Sequence, residues 1–128
     1  MGRGESILVV DDLKTQREIA SKILSKLKYT VYSVSSGEKA VAFMKSNAVD
    51  LVILDMVMDP GMDGLETFLE IRRFLPEQKV VIASGFAETE RVKTAQTMGA
   101  GQYIKKPYTI EKIGMTVRQT LDGDPGNA

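Results

Sequence analysis

The stretch "LVILDMVMDPGMDG", residues 51–64, runs four apolar residues into Asp55 and places Asp59 and Asp63 within the next eight positions. Neighbouring carboxylates repel and desolvate one another, so an apolar segment that ends in acids needs a cation nearby. The same pattern recurs along the chain. Asp11 and Asp12 follow an apolar run ending at Val10, Ser84 and Gly85 follow Val80 to Ala83, and Lys105, Lys106 and Pro107 follow Ile104. Three carboxylates with waters and a backbone carbonyl make a hard oxygen site of the kind Mg²⁺ accepts, while a lysine and a hydroxyl suit phosphoryl oxygens.

These residues can act together only if the elements carrying them converge. Short apolar runs at Ile7–Val10, Thr30–Val34, Leu51–Leu54, Val80–Ala83 and Gln102–Ile104 predict five strands. Between them, Ile19, Ile23, Leu24 and Leu27, and later Ile110, Ile113, Val117 and Leu121, recur at helical spacing. Ala40, Phe43 and Met44 predict a short helix, and Leu65, Phe68, Leu69 and Leu75 another that stops before Pro76. A segment from Glu88 to Met98, with Gly99 as its stop, carries the thinnest apolar line and is expected to be mobile. Continuous apolar strands alternating with helices imply a parallel α/β sheet covered on both faces. All strand C-terminal ends then lie along one edge, where ligands bind.

Composition narrows the chemistry. At 128 residues the chain fits one domain, expected over residues 6–121, with the Gly-rich polar ends 1–5 and 122–128 as flexible termini or linker remnants. Seventeen basic and seventeen acidic residues leave no net charge, which suggests neither nucleic-acid binding nor a polybasic membrane patch. The absence of cysteine excludes disulfides and thiolate sites, and the absence of histidine excludes Ser/His/Asp triads, HExxH zinc sites and a phosphohistidine within these residues. Apolar runs fall far short of the ~20 residues that span a bilayer, so a cytoplasmic protein, or the cytoplasmic part of a larger one, is expected.

"VVDD", "LVILD", "ASG" and "YIKKPYT", at successive predicted strand ends, closely resemble the receiver domain of two-component response regulators (CheY-like). The resemblance implies a three-layer, flavodoxin-like (βα)5 fold with strand order 2-1-3-4-5. It also implies transfer of a phosphoryl group from a histidine kinase or histidine phosphotransfer domain to Asp55. Asp12, Asp55 and the carbonyl of Val57 would ligate Mg²⁺, Asp11 would hold metal-bound water, and Ser84 and Lys106 would bind the phosphoryl group. Tyr103 resembles the family's switch aromatic, moving with Ser84, and the bond before Pro107 would be cis. Val57 and Phe86 would govern water attack on the phosphoaspartate, and both being apolar implies slow hydrolysis. The α4-β5-α5 face would carry the signal. A homodimer through that face is compatible with the sequence but not compelled by it.

The loop "MVMDPGMDG" carries one residue more than the family's usual pattern, with Asp59 read as the insertion, and its variant resembles receivers attached to hybrid sensor kinases. No output domain follows residue 121, so a free-standing receiver or an excised piece is expected. Blander roles compete at several positions. Asp11 and Asp12 could cap the first helix, Asp63 and Gly64 read as turn and cap of the third, and Lys105 is expected to face outward or toward a helix. Met56, Met58 and Met62 read as gap fillers. A haloacid-dehalogenase-like phosphatase would want a second aspartate where Val57 stands. A flavodoxin-like binding module would not place two acids in its phosphate loop. A pseudo-receiver that only binds partners would have no need of the complete acid, hydroxyl and lysine set.

Overall fold

Period-two alternation decides which helix each strand residue meets. In a computed structural model describing residues 4–56, 63–84, 90–97, 103–106 and 108–122, the strands are β1 (Ser6–Val10), β2 (Thr30–Val34), β3 (Leu51–Asp55), β4 (Val80–Ser84) and β5 (Tyr103–Lys105). They form one parallel sheet in the order β2-β1-β3-β4-β5. The helices are α1 (Lys14–Lys26), α2 (Gly37–Ser46), α3 (Gly64–Phe74), α4 (Glu90–Thr97) and α5 (Ile110–Asp122).

Ile7, Val9, Leu51, Ile53, Val81, Ala83 and Ile104 pack into a core with Ala20 and Leu24 of α1 and Ile113 and Val117 of α5. Their strand neighbours Leu8, Val10, Val52, Leu54, Val80 and Ile82 pack on the other face with Ala40, Val41 and Met44 of α2 and Phe68 and Ile71 of α3. The central β3 and β4 are buried along their whole length, as the continuous apolar runs require of strands covered on both sides. The edge strand β2 is largely exposed. This is the flavodoxin-like α/β architecture expected from the strand-end motifs.

The start of α3 is set by two adjacent residues. Asp63 accepts a hydrogen bond from Glu66 N at 2.9 Å while its own N–H donates to Glu66 Oε1 at 3.1 Å, a reciprocal capping box. Gly64 follows because there is no room for a side chain: a Cβ there would strike the Asp55 carbonyl oxygen and sit 2.5 Å from Met56 Cα. The helix is thereby seated directly on the C-terminal end of β3. Asp63→Ala is expected to cost about 1 kcal/mol through the lost cap. Gly64→Ala should cost more, because the atoms it meets are backbone. Urea unfolding of the two variants checks the order.

Candidate functional site

Asp11, one residue beyond β1, and Lys106, one beyond β5, continue the alternation that sends Val9 and Ile104 toward α1 and α5. Asp55, the last residue of β3, shares that parity with Ile53. The three therefore meet at the C-terminal edge of the sheet. Lys106 Nζ lies 2.6 Å from Asp11 Oδ2 and 3.4 Å from Asp55 Oδ1. All three side chains are shielded from water, with 13% of the lysine, 5% of Asp55 and none of Asp11 exposed.

Asp11 is held from four directions. Its N–H donates to Val34 O, its carbonyl accepts from Arg17 Nη1 at 2.7 Å, one carboxylate oxygen accepts from Leu13 N at 2.9 Å, and the other takes the ammonium. The carboxylate thus folds over the turn before α1. The helix itself begins at Leu13 with no side-chain cap, so helix capping is not what Asp11 and Asp12 do. Lys106 is aimed by the sheet, since its N–H donates to Ser84 O at 2.8 Å, extending the pairing of β4 with β5.

One carboxylate oxygen from each of Asp11, half-buried Asp12 and Asp55 lies within 4.8 Å of the others. At that spacing each pair of like charges repels by about 3 kcal/mol for an effective dielectric of ~20. Clustered hard oxygen donors of this kind suit a divalent cation. Ser84 is buried at the end of β4, with the parity of Ile82, and Tyr103 is half-buried against the α2 and α3 core. The two expected switch residues thus belong to the sheet face opposite that of Asp11, Asp55 and Lys106. Lys105 is exposed. Val57, Met58, Asp59, Met62, Gly85, Phe86 and Pro107, with the carbonyl ligand, water-access and cis-peptide expectations that rest on them, lie outside the described residues.

Residues 7–118 match the family model for the response regulator receiver domain. The chain belongs to that family. It is 29% identical over 117 residues to sporulation initiation phosphotransferase F of Bacillus subtilis, covering 91% of this chain and 94% of that protein. It is likewise 29% identical to the sensor kinase CckA of Brucella abortus, but spans only 12% of that protein's length. Among solved structures, the response regulator TrrA of Thermotoga maritima in complex with Mg²⁺ and BeF superimposes with a TM-score of 0.82 at 30% identity, covering 91% of this chain and 98% of that one. This receiver domain is homologous to phosphoacceptor response regulators.

Sequence reasoning passed over three residues around the pocket. Arg17 holds the Asp11 carbonyl. Tyr108 is buried, with the Lys106 ammonium 5.8 Å from its ring centroid. Burial, reinforced by the charges of Asp11 and Asp55, pushes its hydroxyl far above the usual phenol range, so it remains a protonated donor. The Tyr108 hydroxyl and Gln16 Oε1 are both buried without a hydrogen-bond partner among the protein atoms, a condition that costs about 1–3 kcal/mol for each group. The available signal was a polar residue four before Ala20 on the inward face of α1.

Removing an ammonium paired with two buried acids leaves their charges facing each other. Lys106→Met is expected to cost about 2–4 kcal/mol in chelator at neutral pH and less in Mg²⁺, because a bound cation offsets the same charges. Urea unfolding with and without the metal measures the difference.

Proposed function

We propose that this receiver domain accepts a phosphoryl group on Asp55 from a phosphohistidine, with Mg²⁺ bound at the acid cluster. The observation that carries the reading is the convergence of Asp11, Asp12 and Asp55 within 4.8 Å around the buried Lys106 ammonium. The donor histidine lies outside these 128 residues, which contain none. It belongs to a histidine kinase or histidine phosphotransfer domain acting in a cytoplasmic phosphorelay. No described helix is long and apolar enough to cross a membrane.

Asp12 and Asp55, with the Val57 carbonyl, would hold the metal directly, and Asp11 would hold a metal-bound water. The cation supplies charge neutralisation between the attacking carboxylate and the phosphoryl oxygens. A carboxylate oxygen of Asp55 forms the new bond to phosphorus as the phosphorus–nitrogen bond to the donor imidazole breaks, and that nitrogen keeps the electron pair and takes a proton. Lys106 would stabilise the phosphoryl oxygens, and the Ser84 hydroxyl would donate to another of them. The shared face of Ser84 and Tyr103 supports their action as a switch that carries the change toward α4, β5 and α5. A phosphatase of haloacid-dehalogenase type is disfavoured by Val57, and a binding-only pseudo-receiver by the complete charge set.

Incubation with acetyl phosphate and Mg²⁺, followed by intact mass measurement, tests the acceptor. Asp55→Asn is expected to abolish the mass increase, Asp59→Asn to leave it nearly unchanged, and Asp63→Asn to label once folded. Labelling that persists without Asp55 would remove it from the role.

The switch is tested separately by amide exchange with a beryllofluoride adduct, which stands in for the phosphoryl group. Exchange is expected to change across residues 86–121. A change confined to the surroundings of Asp55 would refute the switch.

A further inference from the structure

Tyr108 lies two residues beyond Lys106 and just before Thr109, whose hydroxyl accepts from Lys112 N and starts α5. Its position therefore ties the lysine to the helix that follows. The ring belongs to the core shared by α1, α5 and the sheet, and its hydroxyl, kept protonated, is a donor without an acceptor among the protein atoms. Gln16 stands four and eight residues before Ala20 and Leu24, the buried residues of α1, and so shares their inward stripe at the end nearest the acid pocket. Its orphaned atom, Oε1, is an acceptor.

The two unmatched groups are thus complementary, and Tyr108 packs in the same core cluster as Ala20 and Leu24, the α1 residues whose stripe Gln16 continues. Lys106 cannot accept the Tyr108 hydroxyl proton, because an ammonium only donates. Both carboxylate oxygens of Asp11 are already engaged, by Leu13 N and by Lys106.

We propose that Tyr108 and Gln16 form a hydrogen-bonded pair, closed by one enclosed water, that braces the segment carrying Lys106 against α1. The water accepts from the Tyr108 hydroxyl and donates to Gln16 Oε1, which satisfies both groups. Both are positioning residues, acting through the lysine. Their effect on phosphorylation rests on the phosphoacceptor reading above, whereas the pair itself does not.

A double-mutant cycle with Tyr108→Phe and Gln16→Met, which keep shape and remove one polar partner each, decides the matter. In urea unfolding each single variant is expected to lower the folding equilibrium constant by about threefold to tenfold, and the double variant to be no worse than the poorer single. With acetyl phosphate and Mg²⁺, each single variant is expected to label about threefold or more slowly. In a Lys106→Met background, Tyr108→Phe should slow labelling no further, a result that a purely structural tyrosine would not produce.

Additive effects in unfolding, or a Tyr108→Phe protein as stable as the parent, would overturn the pair. Coupled unfolding with unchanged labelling rates would overturn the bracing of Lys106. A parent protein that takes no phosphate at all would instead refute the phosphoacceptor reading, with the unfolding cycle still deciding the pair.

Discussion

One ammonium holds the functional edge of this domain together. Without Lys106, the buried carboxylates of Asp11 and Asp55 would face each other in a site that excludes water, and the ends of β1, β3 and β5 would lose a side-chain contact that joins them. The bond to Asp11 at 2.6 Å is the shorter of the two and the contact to Asp55 at 3.4 Å the looser. The lysine therefore leans toward the acid that is anchored through Leu13, Val34 and Arg17. The contact to Asp55 is thus the weaker half of the lysine's pairing.

The sheet separates two tasks by face. Residues that compensate charge share the parity of the α1 and α5 side, while Ser84 and Tyr103 share that of the α2 and α3 side. The seat of α3 on the end of β3 ties the chain beyond Asp55 to a capped helix through Gly64. A substitution in the α3 cap therefore reaches the site through backbone position, with no contact to the pocket's side chains.

Much of this was legible in the sequence because strand-end chemistry is a one-dimensional signal. Apolar runs of three to five residues, followed by an acid, a hydroxyl or a lysine, place Asp11, Asp55, Ser84 and Lys106 at one edge from the sequence alone. The apolar triplet Ala40, Phe43 and Met44 pointed to a short helix, and α2 proved longer, running Gly37–Ser46 with Ser36 accepting from Lys39 N as its cap. Asp11 was harder to read, because an aspartate before a helix serves equally as cap or as ligand until the position of the helix start is known. Gln16 and Tyr108 were illegible for a different reason. A glutamine in an inward stripe and a tyrosine after a proline are each ordinary, and only their burial without partners marks them.

The anchoring of Asp11 also determines which part of the pocket yields. On the phosphoacceptor reading, a phosphoryl group at Asp55 brings new negative charge and competes with Asp11 for the lysine. Asp11 keeps its bonds to Leu13 N, Val34 O and Arg17 whatever the lysine does, so it has little freedom to follow. Lys106 follows β5, whose described residues Tyr103–Lys105 pair with β4, and its own N–H extends that pairing to Ser84 O. The residue that would give up the Asp11 contact is thus tied through its backbone to Ser84, the residue expected to bind the same phosphoryl group. Electrostatic competition at Asp55 would then act first on the β4–β5 edge that carries Lys106, while Asp11 stays anchored.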